Sequence, residues 1–204
     1  HDLGQMGMGE PSVVFDVGAH LGQTTLHFRK SFPTASIHCF EPVYENFVKL
    51  KANTKGKRLI RVNQLALGSS RSSVIMQTGQ SDQMHQVIRD QEKTPANKEM
   101  AMVKMETIDS YMKDEGVSNI DLLKIDVEGA ELDVLMGGVK SLNKCKYIVF
   151  EYSDDTAEAA NMAYKDIKNL LESNGFEIFD LSPEGELISV DENKLTSRVM
   201  LFNL

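Results

Sequence analysis

The spacing of apolar positions changes period several times along the chain, and each change marks an element. Ser12 to Val17 (S-V-V-F-D-V) is a short apolar run rich in β-branched residues that ends in a glycine turn, the pattern of a buried strand. From Leu21 the spacing lengthens: Leu21, Phe28 and Phe32, with Thr25 between them, share a helical face, and Pro33 lies just past its end. The unit then repeats. Ser36 to Phe40 predicts a second strand, Val43, Phe47 and Leu50 mark a second helix ending near Gly56, and Leu59 to Val62 opens a third strand.

Further on, Ile120 to Ile125 predicts a fourth strand leading into a helix with Leu132, Leu135, Met136 and Val139 on one side, weakened near its end by Gly137 and Gly138. Tyr147 to Phe150 is a fifth apolar strand. The helix after it has the clearest face, with Ala160, Ala163, Tyr164, Ile167, Leu170 and Leu171 inward and Asn174-Gly175 as the stop. Phe176 to Leu181, a turn around Pro183-Glu184-Gly185, and Arg198 to Phe202 follow without a helix between, which suits an antiparallel pair at a sheet edge. Strands apolar on both faces and alternating with helices predict an α/β fold, a doubly wound and mostly parallel sheet with an antiparallel C-terminal edge pair.

Gly68 to Glu106 breaks the alternation. Val74 to Met76 and Met102 to Met105 suit extra strands, whereas Gly79 to Asn97 is polar and rich in Gln; the segment reads equally as a solvated insertion or as a lid. The 204 residues therefore form one domain, 1–204, with an insertion at about 68–106. Hydrophobic residues at 41% and charged residues at 25% exclude disordered, collagenous and coiled-coil classes. A net charge of −8 disfavours nucleic acid as a partner. No apolar run approaches the roughly 20 residues that span a bilayer. Cys39 and Cys145 lie far apart without metal or redox spacing and read as buried free thiols, which suits a cytoplasmic location. The sequence opens on His1 rather than Met, so a preceding leader is open and the missing targeting signal decides little.

The candidate chemistry starts where the first strand ends, at Phe15-Asp16-Val17-Gly18-Ala19-His20-Leu21-Gly22. Glycines at such a turn permit a sharp reversal and close approach of a ligand, and in open α/β sheets ligands bind beyond the carboxyl ends of strands, where the winding reverses. Glu41, 19 residues past Gly22, stands at about the spacing at which an acid meets ribose hydroxyls in nucleoside-binding sheets. NAD is one such ligand, but its fingerprint has a glycine where His20 stands, and Asp16 would repel a pyrophosphate while suiting a sulfonium and an ammonium. Asp126, Glu128 and Glu151, at the ends of the fourth and fifth strands, are expected to gather at the same edge.

Together D-V-G-A-H-L-G, C-F-E-P at Cys39 to Pro42, T-I-D-S-Y at Thr107 to Tyr111, I-D-L-L-K-I-D-V-E-G-A-E at Ile120 to Glu131 and I-V-F-E before Tyr152 resemble the FkbM-like methyltransferases, in order over roughly Val13 to Glu151. The resemblance implies a Rossmann-like class I fold and S-adenosylmethionine as methyl donor, with a hydroxyl of a small metabolite or glycan as acceptor. It implies that Asp16, Gly18, Ala19 and Gly22 line the amino-acid portion of the donor, that His20 is also among the cofactor-binding residues, and that Glu41 and Pro42 lie at the ribose. It also implies that Leu65, Ala66 and Leu67 neighbour the adenine and that Asp126 lies near the methyl group. His20 stands where the family commonly has Asn.

A hydroxyl acceptor needs a proton acceptor within hydrogen-bond reach, and the candidates are Asp126, Glu128, Glu151 and His85. The same acids could instead hold Mg²⁺ or another hard cation, since oxygen ligands suit such ions, but a divalent metal is not the favoured reading, and no His/Cys spacing supports zinc. Against these readings stand plainer ones. Asp16 and Glu128 can cap the helices that follow them, His27 and His38 can be surface or packing residues, and Lys124 can simply pair with a neighbour. At the level of function the alternatives are an NAD-dependent oxidoreductase and a catalytically silent nucleoside-binding module.

Overall fold

A computed structural model describes residues 9–78, 86–87, 99–152, 164–181, 187–190 and 199–203. The first strand, β1 (Val13–Val17), leads through the glycine turn to α1 (Gln23–Ser31), then β2 (Ser36–Phe40), α2 (Tyr44–Asn53) and β3 (Ile60–Asn63). β4 (Ala66–Leu67) stands just before the region read as an insertion, which carries β5 (Ser72–Thr78), β6 (Gln86–Val87) and β7 (Glu99–Glu106). The chain continues with α3 (Ile108–Glu115), β8 (Ile120–Ile125), α4 (Glu131–Met136), β9 (Cys145–Phe150), α5 (Tyr164–Ser173), β10 (Phe176–Leu181), β11 (Leu187–Ser189) and β12 (Val199–Asn203).

Eight strands form the main sheet in the order β11-β10-β12-β9-β8-β1-β2-β3. From β3 to β9 the pairs are parallel; β12, β10 and β11 are antiparallel. The chain thus winds from β1 outward to β3, then starts again on the other flank of β1 with β8. That reversal places the switch point between β1 and β8, and the expected edge pair is present with β11 added as a third antiparallel strand.

Alternation along the central strands sorts the core into two layers, since successive side chains point to opposite faces. Val14, Ile37, Cys39 and Leu122 pack with Phe28, Phe32 and Leu50 of the α1 and α2 region. Phe15, Phe40, Leu123 and Ile125 pack on the opposite side with Ile108 and Tyr111 of α3, Val134 and Leu135 of α4 and Ile167 of α5. Helices therefore cover both faces, as a doubly wound sheet requires. His38 is buried in this second layer, its Nδ1 2.8 Å from the Tyr111 hydroxyl, and burial followed by the charge of Arg61 pushes its pKa down to about 4. His27 is exposed.

Two expectations about helices change. Met136 and Val139 are exposed, and the buried face of α4 is Glu131, Val134 and Leu135, because the helix stops after six residues. Gly137 follows it as the C-cap and has room for no side chain, since a Cβ there would lie 2.0 Å from the carbonyl oxygen of Gly68. The helix α3 within T-I-D-S-Y was not read from apolar spacing; Thr107 caps it by accepting from the Ser110 N–H at 3.0 Å, and Gly116 closes it at φ 67°. Ala160, Ala163 and the turn at Pro183 lie outside the described residues.

Strands between Ala66 and Glu106 form a small second sheet, β4-β7-β5-β6. β5 and β7 pair antiparallel from Ser72↔Met105 to Thr78↔Glu99, with a core of Ala66, Met76 and Val103. Arg71 pairs with Glu106 at the end of β7, 2.6 Å away, and ties that end of the sheet to α3 through Asp114. Gly79 to Asn97, apart from β6, lies outside the described residues.

Candidate active site

A cavity of about 390 Å³ opens at the carboxyl ends of β1, β2, β8 and β9, beside the switch point. This is the position where an open α/β sheet leaves a crevice between helices that depart to opposite faces. Its wall contains Val17, Gly18 and His20 from the first turn, Phe40, Glu41 and Pro42 from the second, and Leu65, Ala66 and Leu67 after β3. Opposite stand Asp126, Val127, Glu128 and Ala130 after β8 and Glu151 after β9. Gln23 and Thr24 at the start of α1 and Met76 of β5 complete it.

The first turn is stitched to its neighbours by its own backbone. The N–H groups of Gly18 and Ala19 both donate to the Phe40 carbonyl at 3.0 Å, and that of His20 donates to Glu41 Oε2 at 2.9 Å. Gly18 has φ +76°, and a Cβ on it would lie 1.8 Å from the Asp126 carbonyl oxygen, so no other residue fits there. Gly22, at φ +92°, lets α1 meet α2: a Cβ would stand 2.6 Å from Leu50 Cδ1.

Asp16, Ala19 and Gly22 do not reach the cavity wall. Asp16 is fully buried behind it; Oδ2 accepts from the Thr25 hydroxyl at 2.6 Å and Oδ1 lies 3.3 Å from Lys124 Nζ. It does not cap α1, whose N-cap Gly22 has no side-chain cap bond. Lys124 is the residue whose weight the sequence concealed. Its ammonium donates to the Gly18 carbonyl at 3.1 Å and lies 3.2 Å from Asp126 Oδ2, joining β1, β8 and both turns. Burial works against the charge, but Asp16 and Asp126 outweigh it and hold the Lys124 pKa above its ordinary value.

Glu41 is 5% exposed, with Oε1 accepting from the Val43 N–H and Oε2 from the His20 N–H, both at 2.9 Å. Burial pushes its pKa up to about 7, and the two backbone donors only partly oppose that. Each oxygen keeps a lone pair for a hydroxyl in the cavity. Across the cavity, Glu128 holds a left-handed backbone at φ +54°, which a non-glycine residue adopts at a cost and which is enriched at functional sites. Burial, then Asp126, Glu151 and Glu131, raise its pKa. The carboxylate that serves the start of α4 is Glu131, accepting from Val127 N at 3.3 Å and Gly129 N at 3.2 Å, and Glu128 is left facing the cavity.

The residues expected to meet do so: Gly18, His20, Glu41, Pro42, Leu65, Ala66, Asp126, Glu128 and Glu151 share one cavity. Met76 was missed, because only the folding of β5 against β7 brings it there. His85 lies outside the described residues. Among the described residues no group of three or more His, Cys, Asp or Glu side chains is arranged to hold a metal ion, and no helix is long and apolar enough to cross a membrane.

The fold is shared with solved structures of low identity. The fibrillarin pre-rRNA processing protein of Methanococcus jannaschii superposes with a TM-score of 0.55 at 12% identity, covering 96% of this chain and 67% of that one. An O-methyltransferase from Bacillus cereus in complex with SAH gives 0.53 at 9% identity, covering 96% and 75%. In sequence, the 2-O-methyltransferase NoeI of Sinorhizobium fredii is 26% identical over 185 residues, 85% of this chain and 75% of its own length. The 31-O-demethyl-FK506 methyltransferase FkbM of Streptomyces tacrolimicus is 25% identical over 198 residues, 81% of this chain and 73% of its own. The profile described as the methyltransferase FkbM domain matches residues 16–178, from the buried acid of β1 to the middle of β10. With that span covering the first turn, Glu41 and the acidic edge alike, the chain belongs to the FkbM domain family of S-adenosylmethionine-dependent methyltransferases.

Proposed function

We propose that the chain methylates a hydroxyl oxygen of a small metabolite or glycan, with the donor in the switch-point cavity and the acceptor entering over Asp126, Glu128 and Glu151. The observation that carries this is the division of the cavity wall. Glu41, buried and doubly anchored to backbone, faces a rim of three carboxylates across about 390 Å³, a volume within the range of small-molecule sites. The residues fit the donor: Glu41 offers lone pairs to ribose hydroxyls, Leu65 to Leu67 and Met76 offer an apolar flank to an adenine, and the acids suit a cationic centre. When bound, the donor supplies an electrophilic methyl group on a sulfonium.

This wall argues against a dinucleotide. A pyrophosphate is held by free N–H groups of the glycine turn, yet those of Gly18, Ala19 and His20 are all committed to Phe40 and Glu41. The rim then supplies the proton acceptor. Asp126 already faces the Lys124 ammonium, so its part is to hold the turn in place, while Glu128, facing the cavity with its pKa raised by burial and the neighbouring acids, takes the acceptor's hydroxyl proton. Asp16 acts from behind the wall by fixing Lys124 and Thr25. Met76 brings the β5–β7 ribbon to the cavity, which supports a covering role that keeps water out during transfer. The buried thiols Cys39 and Cys145 support a reducing, cytoplasmic setting.

Thermal denaturation with S-adenosylhomocysteine, NADH and ATP tests the assignment, because a ligand that binds the native state raises the midpoint in proportion to its affinity. A shift with S-adenosylhomocysteine alone is expected. A shift with NADH and none with S-adenosylhomocysteine would replace the assignment with the oxidoreductase reading.

A further inference from the structure

At the amino ends of the parallel strands, opposite the cavity, the chain changes sign. From Lys49 to Arg61 it has six basic residues and no acid, although the net charge of the protein is −8. Arg61 is paired with Glu115, 2.8 Å away, and the Lys51 ammonium lies over the Phe47 ring. Lys55, Lys57 and Arg58, in the connection from α2 to β3, are exposed and form no ion pair among the described residues, and the same holds for Lys30 in the last turn of α1.

Leu59 follows Lys57 and Arg58 directly. It is 53% exposed and holds a left-handed backbone at φ +61°, which a bulky residue adopts only at a cost. Its position is nevertheless fixed. The Leu59 carbonyl accepts from the Ile37 N–H at 2.8 Å and from Arg29 Nη2 at 3.2 Å, and the same guanidinium bonds the carbonyls of Phe32, Pro33 and Ala35, fastening the end of α1 to the connection that carries Leu59. Asn or Gly would sit on this backbone without strain, and a polar side chain would suit the exposure. An aliphatic residue kept there, beside unpaired cations, points to a partner outside the fold.

We propose that this edge docks on a bilayer surface containing anionic lipid, with the four unpaired cations at the headgroups and Leu59 inserted at the headgroup–acyl boundary. Charge complementarity selects an anionic surface, and Leu59 selects lipid among such surfaces. A nucleic acid strand also offers phosphates to the cations, but its bases stack on aromatic planes rather than on a lone aliphatic side chain. Glu41, Asp126, Glu128 and Glu151 lie at the opposite ends of the strands, so the docked chain holds its acidic rim away from the lipid.

Flotation of the full chain with vesicles tests this, using phosphatidylcholine alone, a mixture of two parts phosphatidylcholine to one of phosphatidylserine, and a single-stranded oligonucleotide as the competing anion. The mixed vesicles are expected to bind at least about tenfold more tightly than the neutral ones, with the preference shrinking as salt is raised. Leu59→Asn is expected to weaken that binding by about tenfold while the denaturation midpoint stays equal or rises, because Asn accepts the left-handed backbone. Joint replacement Lys57→Glu and Arg58→Glu is expected to abolish it. Binding of S-adenosylhomocysteine reads the cavity at the far end of the sheet and is expected to be unchanged in both variants, so this proposal and the donor reading fail separately. Wild-type protein that ignores the mixed vesicles, full binding by either variant, or a preference for the oligonucleotide over the vesicles would overturn the proposal.

Discussion

Glu41 shows how the burial of a single carboxyl can cost the fold stability. Its folded pKa of about 7 lies above the ordinary carboxylate value of 4.5, so the native state holds a proton that the unfolded chain releases between those two pH values. Native stability therefore falls as pH rises from about 4.5 to 7, by on the order of 3 kcal/mol from this group in the absence of ligand. Glu128 and Glu131, whose pKa values are also raised, act in the same direction. Replacing Glu41 by Ala removes its share, so the stability of the variant relative to wild type should improve across that pH interval while nucleoside affinity falls. Urea denaturation at pH 4.5, 6 and 8 checks the slope, and a pH-independent difference would mean that the buried carboxyl does not titrate as described.

Glu128 makes a complementary prediction. Glu128→Gln should reduce turnover by about 10²- to 10⁴-fold, the usual range for a general base, while S-adenosylhomocysteine affinity stays within about twofold. Full turnover in that variant would return the role to Asp126, Glu151 or His85. Much of this was legible in the sequence, because D-V-E-G-A-E and C-F-E-P stand directly after apolar strands and strand ends converge. Asp16 was harder to place. Residue type and position are alike for an acid that lines a cavity and one turned inward, and only Lys124 from the neighbouring strand decides between them.

At the scale of elements, the best-read segments are those with continuous apolar runs. Ile120 to Ile125 is β8 to the residue, and Phe176 to Leu181 is β10. The short or amphipathic pieces were the difficult ones. In α3 the buried residues are Ile108, Tyr111 and Met112, too few for periodicity to stand out, and α4 ends before its apolar pattern does. What requires glycine just after α4 is a contact between distant segments, the Gly68 carbonyl against Gly137. Gly137→Ala should accordingly cost about 1–3 kcal/mol or more from overpacking, measured as a lower denaturation midpoint, because the obstacle is backbone. Gly56, whose Cβ would meet nothing within 4 Å, should lose only about 1 kcal/mol on the same change, from its φ of +77°. Equal losses at both positions would show that close packing is not what requires glycine at 137.

For the whole molecule, the winding order is what makes a site of these parts. β1 lies between β2 and β8, and the turns that follow these strands bring Gly18, Glu41 and Asp126 to one edge although they are far apart in sequence. The fold class followed from alternation alone, but the place of β12 between β9 and β10 did not, since apolar periodicity carries no information on strand order. The insertion likewise declared its two longer strands and kept back its contact with the cavity through Met76. A crystal structure of the protein with S-adenosylhomocysteine tests the central claim most directly. The account predicts both ribose hydroxyls within hydrogen-bond distance of Glu41 and the adenine against Leu65 to Leu67; a nucleoside bound elsewhere, or one whose ribose does not touch Glu41, would contradict it.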